Sequence, residues 1–318
     1  IRMPLPFALD HINLWLIEGD DGYAAVDCGY GDDVTRDTWQ RHFATTMGDS
    51  PIRKLVATHY HPDHLGNGEW LASRFGVQVT MTHAEFLHAH AVWRNEGALA
   101  AESFAQFLRV HGMTAEHVEK LAARGNAYRR GVPALPATFD RIIDGDTIRL
   151  GVAPFRVIAG FGHSPEHAAL HDAARGVLIS GDMLLPRIST NISAWPGEPD
   201  GDPLARFLDS LSRFEDLAPD TLVLPSHGLP FRGIALRVAQ LRAHHDARLA
   251  ELEEFIRQAP APVSAADVLP TLLRRELDLQ QRFFAMGEAI AHLNHLWRRG
   301  RAERIVDAHR SVLFRAMP

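Results

Sequence analysis

The segment Thr58-His59-Tyr60-His61-Pro62-Asp63-His64 constrains the fold and chemistry of this chain more than any other stretch. It brings three imidazoles and a carboxylate together, directly after an apolar run, Lys54 to Ala57, that indicates the end of a strand. Catalytic zinc takes nitrogen and oxygen ligands and keeps one position for water. Because packing alone rarely requires such a cluster, the segment predicts a metal site that performs chemistry.

The composition favours a soluble globular protein, with 46% hydrophobic and 23% charged residues over 318 positions. No apolar stretch approaches the roughly 20 residues that cross a bilayer, and residues 1–10 lack the layout of a secretion signal. The single cysteine, Cys28, excludes an internal disulfide framework and fits a reducing, cytoplasmic location. The net charge of -6 argues against a chain-wide nucleic-acid surface.

Strand and helix patterns alternate along the first two thirds of the chain, which predicts an α/β layered architecture. Helices are expected at about Asp33–Met47 and Gly68–Phe75, and Asp144-Gly145-Asp146 indicates a hairpin turn. The predicted strands are Asn13–Ile17, Tyr23–Asp27, Ile52–Ala57, Gln78–Met81, Arg141–Ile143, Thr147–Leu150, Phe155–Ile158, Gly176–Ser180 and Thr221–Leu224.

Two helical regions interrupt or follow this pattern. A helical insert is expected at about residues 84–136, either as a cap over the cleft or as a contact in a homodimer. After residue 230 the pattern predicts helices at 234–258, from Ser264 onwards and at 283–299, then a hairpin near residues 304–314. We therefore expect a catalytic domain over residues 1–232 and a C-terminal, winged-helix-like domain over residues 233–318.

Three more residues suited to metal binding, His163, Asp182 and His227, each come a few positions after a predicted strand. Side chains at the carboxyl ends of neighbouring strands converge on one rim of a sheet, so these distant residues can share a site with the histidine segment. We expect the other histidines to be structural. His167 and His171 belong to this group, and a further set is expected on polar helix faces: His111, His117, His244, His245, His292 and His295.

In these motifs the sequence resembles the metallo-β-lactamase superfamily of hydrolases. The matching features are Asp27 in Val-Asp-Cys-Gly, the His-x-His-x-Asp-His pattern at 59–64, and the three later residues, in the family's order over about residues 10–230. The resemblance implies a four-layer αββα sandwich with the helical insert and a C-terminal winged-helix-like α+β module. It also implies that Asp27 hydrogen-bonds a ligand-bearing loop, although a turn-capping role stays open.

The same resemblance implies a ligand set for two metal ions. His59, His61 and His163 would hold the first ion, Asp63, His64 and His227 the second, and Asp182 would bridge both. Imidazoles and carboxylates without thiolate favour zinc, with iron or manganese as alternatives. A metal-bridging hydroxide would then attack the carbonyl of a small ester, thioester or lactone, with Asp63 orienting the water and an acyl thioester preferred.

Two alternatives stay open at this point: a metal-dependent phosphodiesterase or nuclease, and a mononuclear iron enzyme similar to the sulfur dioxygenases. Glyoxalase II enzymes share the ligand set, but residues 183–188 lack a glutathione-binding stretch, so a glutathione thioester is not favoured. The expected partner is a small acyl molecule, and neither a nucleic acid nor a membrane. Cys28 is expected to be a buried, unreactive residue.

Overall fold

The computed structural model describes residues 1–7, 9–272 and 278–317, apart from the side chain of Gln280. These residues form two compact units. Unit 1 comprises residues 1–93, 127–190 and 210–238, and unit 2 comprises residues 94–126, 191–209 and 239–318. The units thus interleave along the chain, and the domain boundary at residues 232 and 233 stays a prediction.

The strands are β1 (Arg2–Pro4), β2 (His11–Asn13), β3 (Trp15–Gly19), β4 (Gly22–Val26), β5 (Ile52–Val56), β6 (Val79–Thr82), β7 (Phe139–Ile142), β8 (Thr147–Leu150), β9 (Ala153–Gly160), β10 (His167–Asp172), β11 (Val177–Gly181), β12 (Leu222–Pro225), β13 (Ala302–Val306) and β14 (Val312–Ala316). The α-helices are α1 (Asp33–Ala44), α2 (Pro62–Leu65), α3 (Gly68–Phe75), α4 (His83–Arg94), α5 (Ala101–Val110), α6 (Ala115–Ala123), α7 (Tyr128–Gly131), α8 (Pro203–Glu215), α9 (Ile234–Gln258), α10 (Leu269–Leu272) and α11 (Leu279–Arg298). A short 3₁₀ helix covers Gly97–Leu99.

Unit 1 is built on two five-stranded sheets, in the order β3-β4-β5-β6-β7 and β12-β11-β10-β9-β8. Successive side chains of a strand point to opposite faces, so each strand serves two layers. In β5, Leu55 packs into the core shared with α1 and α3, whereas Val56 packs into the core between the sheets. The predicted four-layer αββα architecture is confirmed.

Helix α1 shows how the outer layer is fixed. Asp32 caps its start by accepting a hydrogen bond from the Thr35 backbone N–H at 2.8 Å. Trp39 and Phe43, four residues apart, stack at 5.5 Å on the buried face. The indole N–H of Trp39 donates to the Cys28 carbonyl at 2.9 Å, which ties the helix to the loop after β4.

The hairpin predicted at residues 144–146 is wrong. Gly145 does take a turn conformation with φ +86°, but β7 pairs with β6 in the first sheet and β8 pairs with β9 in the second. The turn therefore carries the chain from one sheet to the other. The elements that were not predicted include strand β10 and helix α8.

Unit 2 contains the C-terminal hairpin that we predicted, with β13 and β14 antiparallel and Val306 opposite Val312. Ser264 and Asp267 exchange the hydrogen bonds of a capping box, but the helix that follows begins only at Leu269. The expectation of polar helix faces is wrong for four histidines, which are buried: His111, His245, His292 and His295. Among the described residues, no helix combines the length and apolar content needed to cross a membrane.

Replacing Trp39 by phenylalanine should lower the free energy of unfolding by about 2–4 kcal/mol, because the variant loses a buried hydrogen bond and leaves a cavity. Urea denaturation followed by far-ultraviolet circular dichroism measures this change. Val34→Ala on the same helix is the control, since Val34 is 60% exposed and the variant should stay within about 0.5 kcal/mol of the native protein. Equal losses in the two variants would contradict the assigned role of Trp39.

Candidate metal centre

The seven residues expected to bind metal converge at one rim of the two sheets of unit 1. His59 and His61 follow β5, Asp63 and His64 lie on the short helix α2, and His163 follows β9. Asp182 directly follows β11, and His227 comes two residues after β12. Each side chain thus stands where an apolar strand ends and the backbone can turn across the rim.

One group of four ligand atoms comes from His59, His61, His163 and Asp182, all within 4.8 Å of one another. Nε2 of His59 lies 2.8 Å from Nδ1 of His61 and 3.2 Å from Nε2 of His163. Burial lowers the pKa of His59 and His61 well below the ordinary histidine value, and the nearby His163 acts in the same direction. His59 and His61 are therefore neutral at pH 7, as metal ligands must be.

A second group consists of Asp63, His64 and His227, again with ligand atoms within 4.8 Å of one another. Nε2 of His227 lies 3.4 Å from Asp63 Oδ2, and Nε2 of His64 lies 3.7 Å from the same oxygen. Asp182 faces both groups. Its Oδ2 lies 3.3 Å from His163, whereas its Oδ1 lies 3.5 Å from His64 and from His227.

Asp27 orients the ligand-bearing loop from behind. It adopts φ +66°, is 1% exposed, and accepts hydrogen bonds from the Thr58 backbone N–H at 2.8 Å and from the Thr58 hydroxyl at 2.9 Å. Its other oxygen lies 2.8 Å from Nδ1 of His64. Nδ1 of His59 lies 3.1 Å from the Thr58 hydroxyl, so the same carboxylate fixes two of the imidazoles.

These hydrogen bonds decide which nitrogen faces the rim. His64 uses Nδ1 toward Asp27, and His227 uses Nδ1 toward the His11 carbonyl at 2.9 Å, so both present Nε2 to the carboxylates. In the neutral tautomer that these bonds favour, Nε2 carries a lone pair that faces acceptor oxygens. Nε2 of His64 and Oδ1 of Asp182 are buried and have no hydrogen-bond partner among the described residues. A cation between them would satisfy both, so the donor set fits a metal.

The charges of the second group agree with this fit. Burial opposes protonation of His64 and His227, but nearby carboxylates outweigh it and raise the pKa of both imidazoles. Asp27 acts first on His64, followed by Asp63 and Asp182, and the last two act on His227. Burial likewise opposes ionisation of Asp63, yet His64 and His227 lower the pKa of Asp63 to about 2. The pKa of Asp182 is also lowered by these two imidazoles against the effect of burial. The carboxylates are thus ionised and favour positive charge at the rim, carried either by protons on the two imidazoles or by a metal cation in their place.

Two residues near the site, His167 and Glu85, make contacts that the sequence did not predict. His167 is structural, as expected, but its Nε2 accepts the Asp182 backbone N–H at 3.1 Å and so helps to place Asp182. Gly181 has φ +53°, and a Cβ there would lie 2.2 Å from this His167 nitrogen. Glu85, on α4, contacts the loops on both sides of the first group. No sequence motif marks it, because its partners lie 25 to 81 residues away.

The fold and the site define a family. The sequence model of the metallo-beta-lactamase superfamily matches residues 8–227, and that of the metallo-beta-lactamase-like C-terminal domain matches residues 249–317. The chain therefore belongs to the metallo-beta-lactamase superfamily and is a metallohydrolase.

Individual relatives agree with this assignment. A crystal structure of a beta-lactamase domain protein from Burkholderia ambifaria is 44% identical, covers 100% of this chain and 91% of that chain, and superposes with a TM-score of 0.92. "Probable metallo-hydrolase YqjP" of Bacillus subtilis is 25% identical over 93% of this chain and 91% of that relative. The acyl-coenzyme A thioesterase MBLAC2 of Bos taurus is 30% identical over 54% of this chain and 58% of that relative.

Asp27→Asn should weaken metal binding by about 10- to 100-fold, because an amide offers one acceptor oxygen where the loop supplies donors to both carboxylate oxygens. Competition between the metal-free protein and a chromophoric zinc chelator measures the affinity. The control is Asp33→Asn, which makes the same change at an exposed position in the first turn of α1. If both variants bind zinc as tightly as the native protein, Asp27 does not orient the ligands.

Proposed function

We propose that this metallohydrolase uses two zinc ions to hydrolyse small acyl compounds, with acyl thioesters as the preferred substrates. One observation carries the proposal: two adjoining groups of ligand atoms share Asp182, whose two oxygens face different groups. A carboxylate in this position is suited to bridging a pair of cations. A single structural ion would occupy only one group. The carboxylates and imidazoles of the other group would then have no cation to bind.

In the proposed site His59, His61 and His163 would hold one ion, Asp63, His64 and His227 would hold the other, and Asp182 would serve both. Such a pair of ions lowers the pKa of a bound water and polarises the carbonyl under attack. The donors are imidazoles and carboxylates without a thiolate, which favours zinc and leaves iron or manganese as alternatives.

The site opens to solvent next to His61 and Asp63, which are less buried than the other ligands of the histidine segment. His61 is half-buried and the Asp63 side chain is 14% exposed, whereas His59 and His64 are completely buried. Asp63 is ionised at neutral pH because its pKa is about 2. We therefore assign Asp63 the task of accepting a hydrogen bond from the attacking water and orienting it toward the substrate carbonyl.

The same charges favour a thioester over an oxygen ester. Asp63 and Asp182 both have lowered pKa values, so neither of these two carboxyls carries a proton to give to a departing group. A thiol has a pKa of about 8.5 and can leave as a thiolate without being protonated, whereas an alcohol leaves poorly as an alkoxide. The relative MBLAC2 is named an acyl-coenzyme A thioesterase, which supports the same substrate class. The molecule that binds this site is accordingly a small acyl compound, the substrate itself.

A substrate panel tests this choice on the zinc-loaded protein. Acyl thioesters should be hydrolysed at least about tenfold faster, as kcat/KM, than oxygen esters and lactones of matched acyl length, a difference of about 1.4 kcal/mol in the barrier. Release of thiol, followed with a thiol-reactive dye, measures the thioester rate, and titration of the released acid at constant pH measures the rate for all three substrate types. Faster cleavage of bis(p-nitrophenyl) phosphate would identify a phosphodiesterase instead. One iron per chain with consumption of oxygen would identify a dioxygenase.

Asp182→Ala should lose metal and activity together, with kcat reduced by at least about 100-fold, because both ions lose a ligand. Metal content by mass spectrometry and thioester turnover are measured on the same preparation. Asp140→Ala is the matched control, since Asp140 lies in the same unit and pairs at 3.0 Å with Lys54 outside the site. Full turnover by Asp182→Ala would refute the bridging role.

A further inference from the structure

The backbone of Tyr60 lies between the ligands His59 and His61 and is held on both sides of its Cα, at the N–H and at the carbonyl. Its N–H donates to Oε2 of Glu85 at 2.9 Å, and its carbonyl accepts the hydroxyl of Tyr128 at 2.6 Å. All three residues are buried, with Glu85 at 0% and Tyr128 at 9% exposure. One bond fixes the peptide group that follows His59 and the other fixes the peptide group that precedes His61, so the two contacts together act on both ligands.

The second oxygen of Glu85 reaches the loop that carries His163. Oε1 accepts the Ser164 hydroxyl at 2.6 Å and the Glu166 backbone N–H at 2.7 Å. One carboxyl group therefore joins the segment of His59 and His61, from the first sheet, to the loop of His163, from the second. The nitrogens of His59 and His163 that this link serves are 3.2 Å apart.

A carboxylate suits this position because three donors face it and a carboxylate is an acceptor only. An apolar side chain would leave the Tyr60 and Glu166 N–H groups without partners, and an amide would turn its own donors toward at least one of them. Burial raises the pKa of Glu85 to about 7, against the opposing effect of the three donors. A residue needed only for packing would not bring this desolvation cost.

We propose that Glu85 is a positioning residue for the first metal group, and that Tyr128 supports it by holding the carbonyl of the same residue, Tyr60. This proposal rests on the two-ion centre proposed above. It gives part of the helical insert a task other than a cap or a dimer contact, since Glu85 on α4 and Tyr128 on α7 both come from residues 84–136.

Metal titration tests the proposal without reference to turnover. Each metal group is isolated by removing one ligand of the other: His227→Ala leaves the first group, and His163→Ala leaves the second. Co²⁺ is added to the metal-free protein in each background, and its visible absorption bands report both affinity and ligand geometry. Glu85→Gln should weaken Co²⁺ binding about 10- to 100-fold and alter the bands in the His227→Ala background. It should change affinity by less than about threefold in the His163→Ala background.

Tyr128→Phe removes a single hydrogen bond, and we expect a smaller effect in the same direction, about two- to tenfold. Because both contacts hold the backbone of one residue, Tyr60, the double variant should lose less affinity than the product of the two single losses. Glu18→Gln, at an exposed position on β3, makes the same charge change as Glu85→Gln and should leave both groups unchanged. Far-ultraviolet circular dichroism of each metal-free variant checks that it is folded.

Unchanged Co²⁺ bands and affinity in Glu85→Gln, with normal binding by the native protein, would overturn the positioning role alone. Equal weakening of both metal groups would assign Glu85 to general stability and would also overturn it. If Glu85→Gln does not fold, Tyr128→Phe and Ser164→Ala carry the same test, and full affinity in both would reject the proposal. Two bound ions without thioester turnover would instead reject the proposed reaction and leave the role of Glu85 intact.

Discussion

The carboxylate of Asp27 fixes the groups that stand behind the ligand nitrogens, and the rest of the site depends on it. It receives the backbone N–H and hydroxyl of Thr58 and faces Nδ1 of His64. The lone pairs of imidazoles that point at the same place repel each other, so the rings would rotate apart. Hydrogen bonds to the outer nitrogens prevent this rotation. The buried carboxylate of Asp27 supplies that constraint. The left-handed backbone at Asp27 directs its side chain under the loop.

Two effects combine at the site: hydrogen bonds behind the imidazoles orient them, and the charge of the carboxylates in front attracts a cation. The outer contacts keep Nε2 of His64 and His227 directed at Asp63 and Asp182, while burial removes water that could screen the two carboxylates. The result is a negative pocket that raises the pKa of the imidazoles until a cation replaces their protons. The site is therefore preorganised for a metal cation and not for a neutral ligand.

The sequence was sufficient for most of this site because its ligands follow apolar strands. β8 and α9 begin and end where the pattern predicts, and the seven metal-binding candidates meet at one rim. Strand β10 was missed because it is buried on both faces and rich in alanine, so it shows no alternation of polar and apolar residues. Helix α8 carries a usable signal, with buried residues Leu204, Phe207, Leu211 and Phe214 at helical spacing. Glu85 could not be found, because a single glutamate on a helix predicts a solvated surface until its distant partners are known.

The turn at residues 144–146, which passes from the first sheet to the second, divides the ligands between the two halves of unit 1. Four of them precede the turn and three follow it. An ion shared by the groups would consequently act as a cross-link between the two sheets. Because it would bind the folded state only, it would raise the free energy of unfolding by mass action. A chelating agent would then behave as a mild denaturant of this protein as well as an inhibitor.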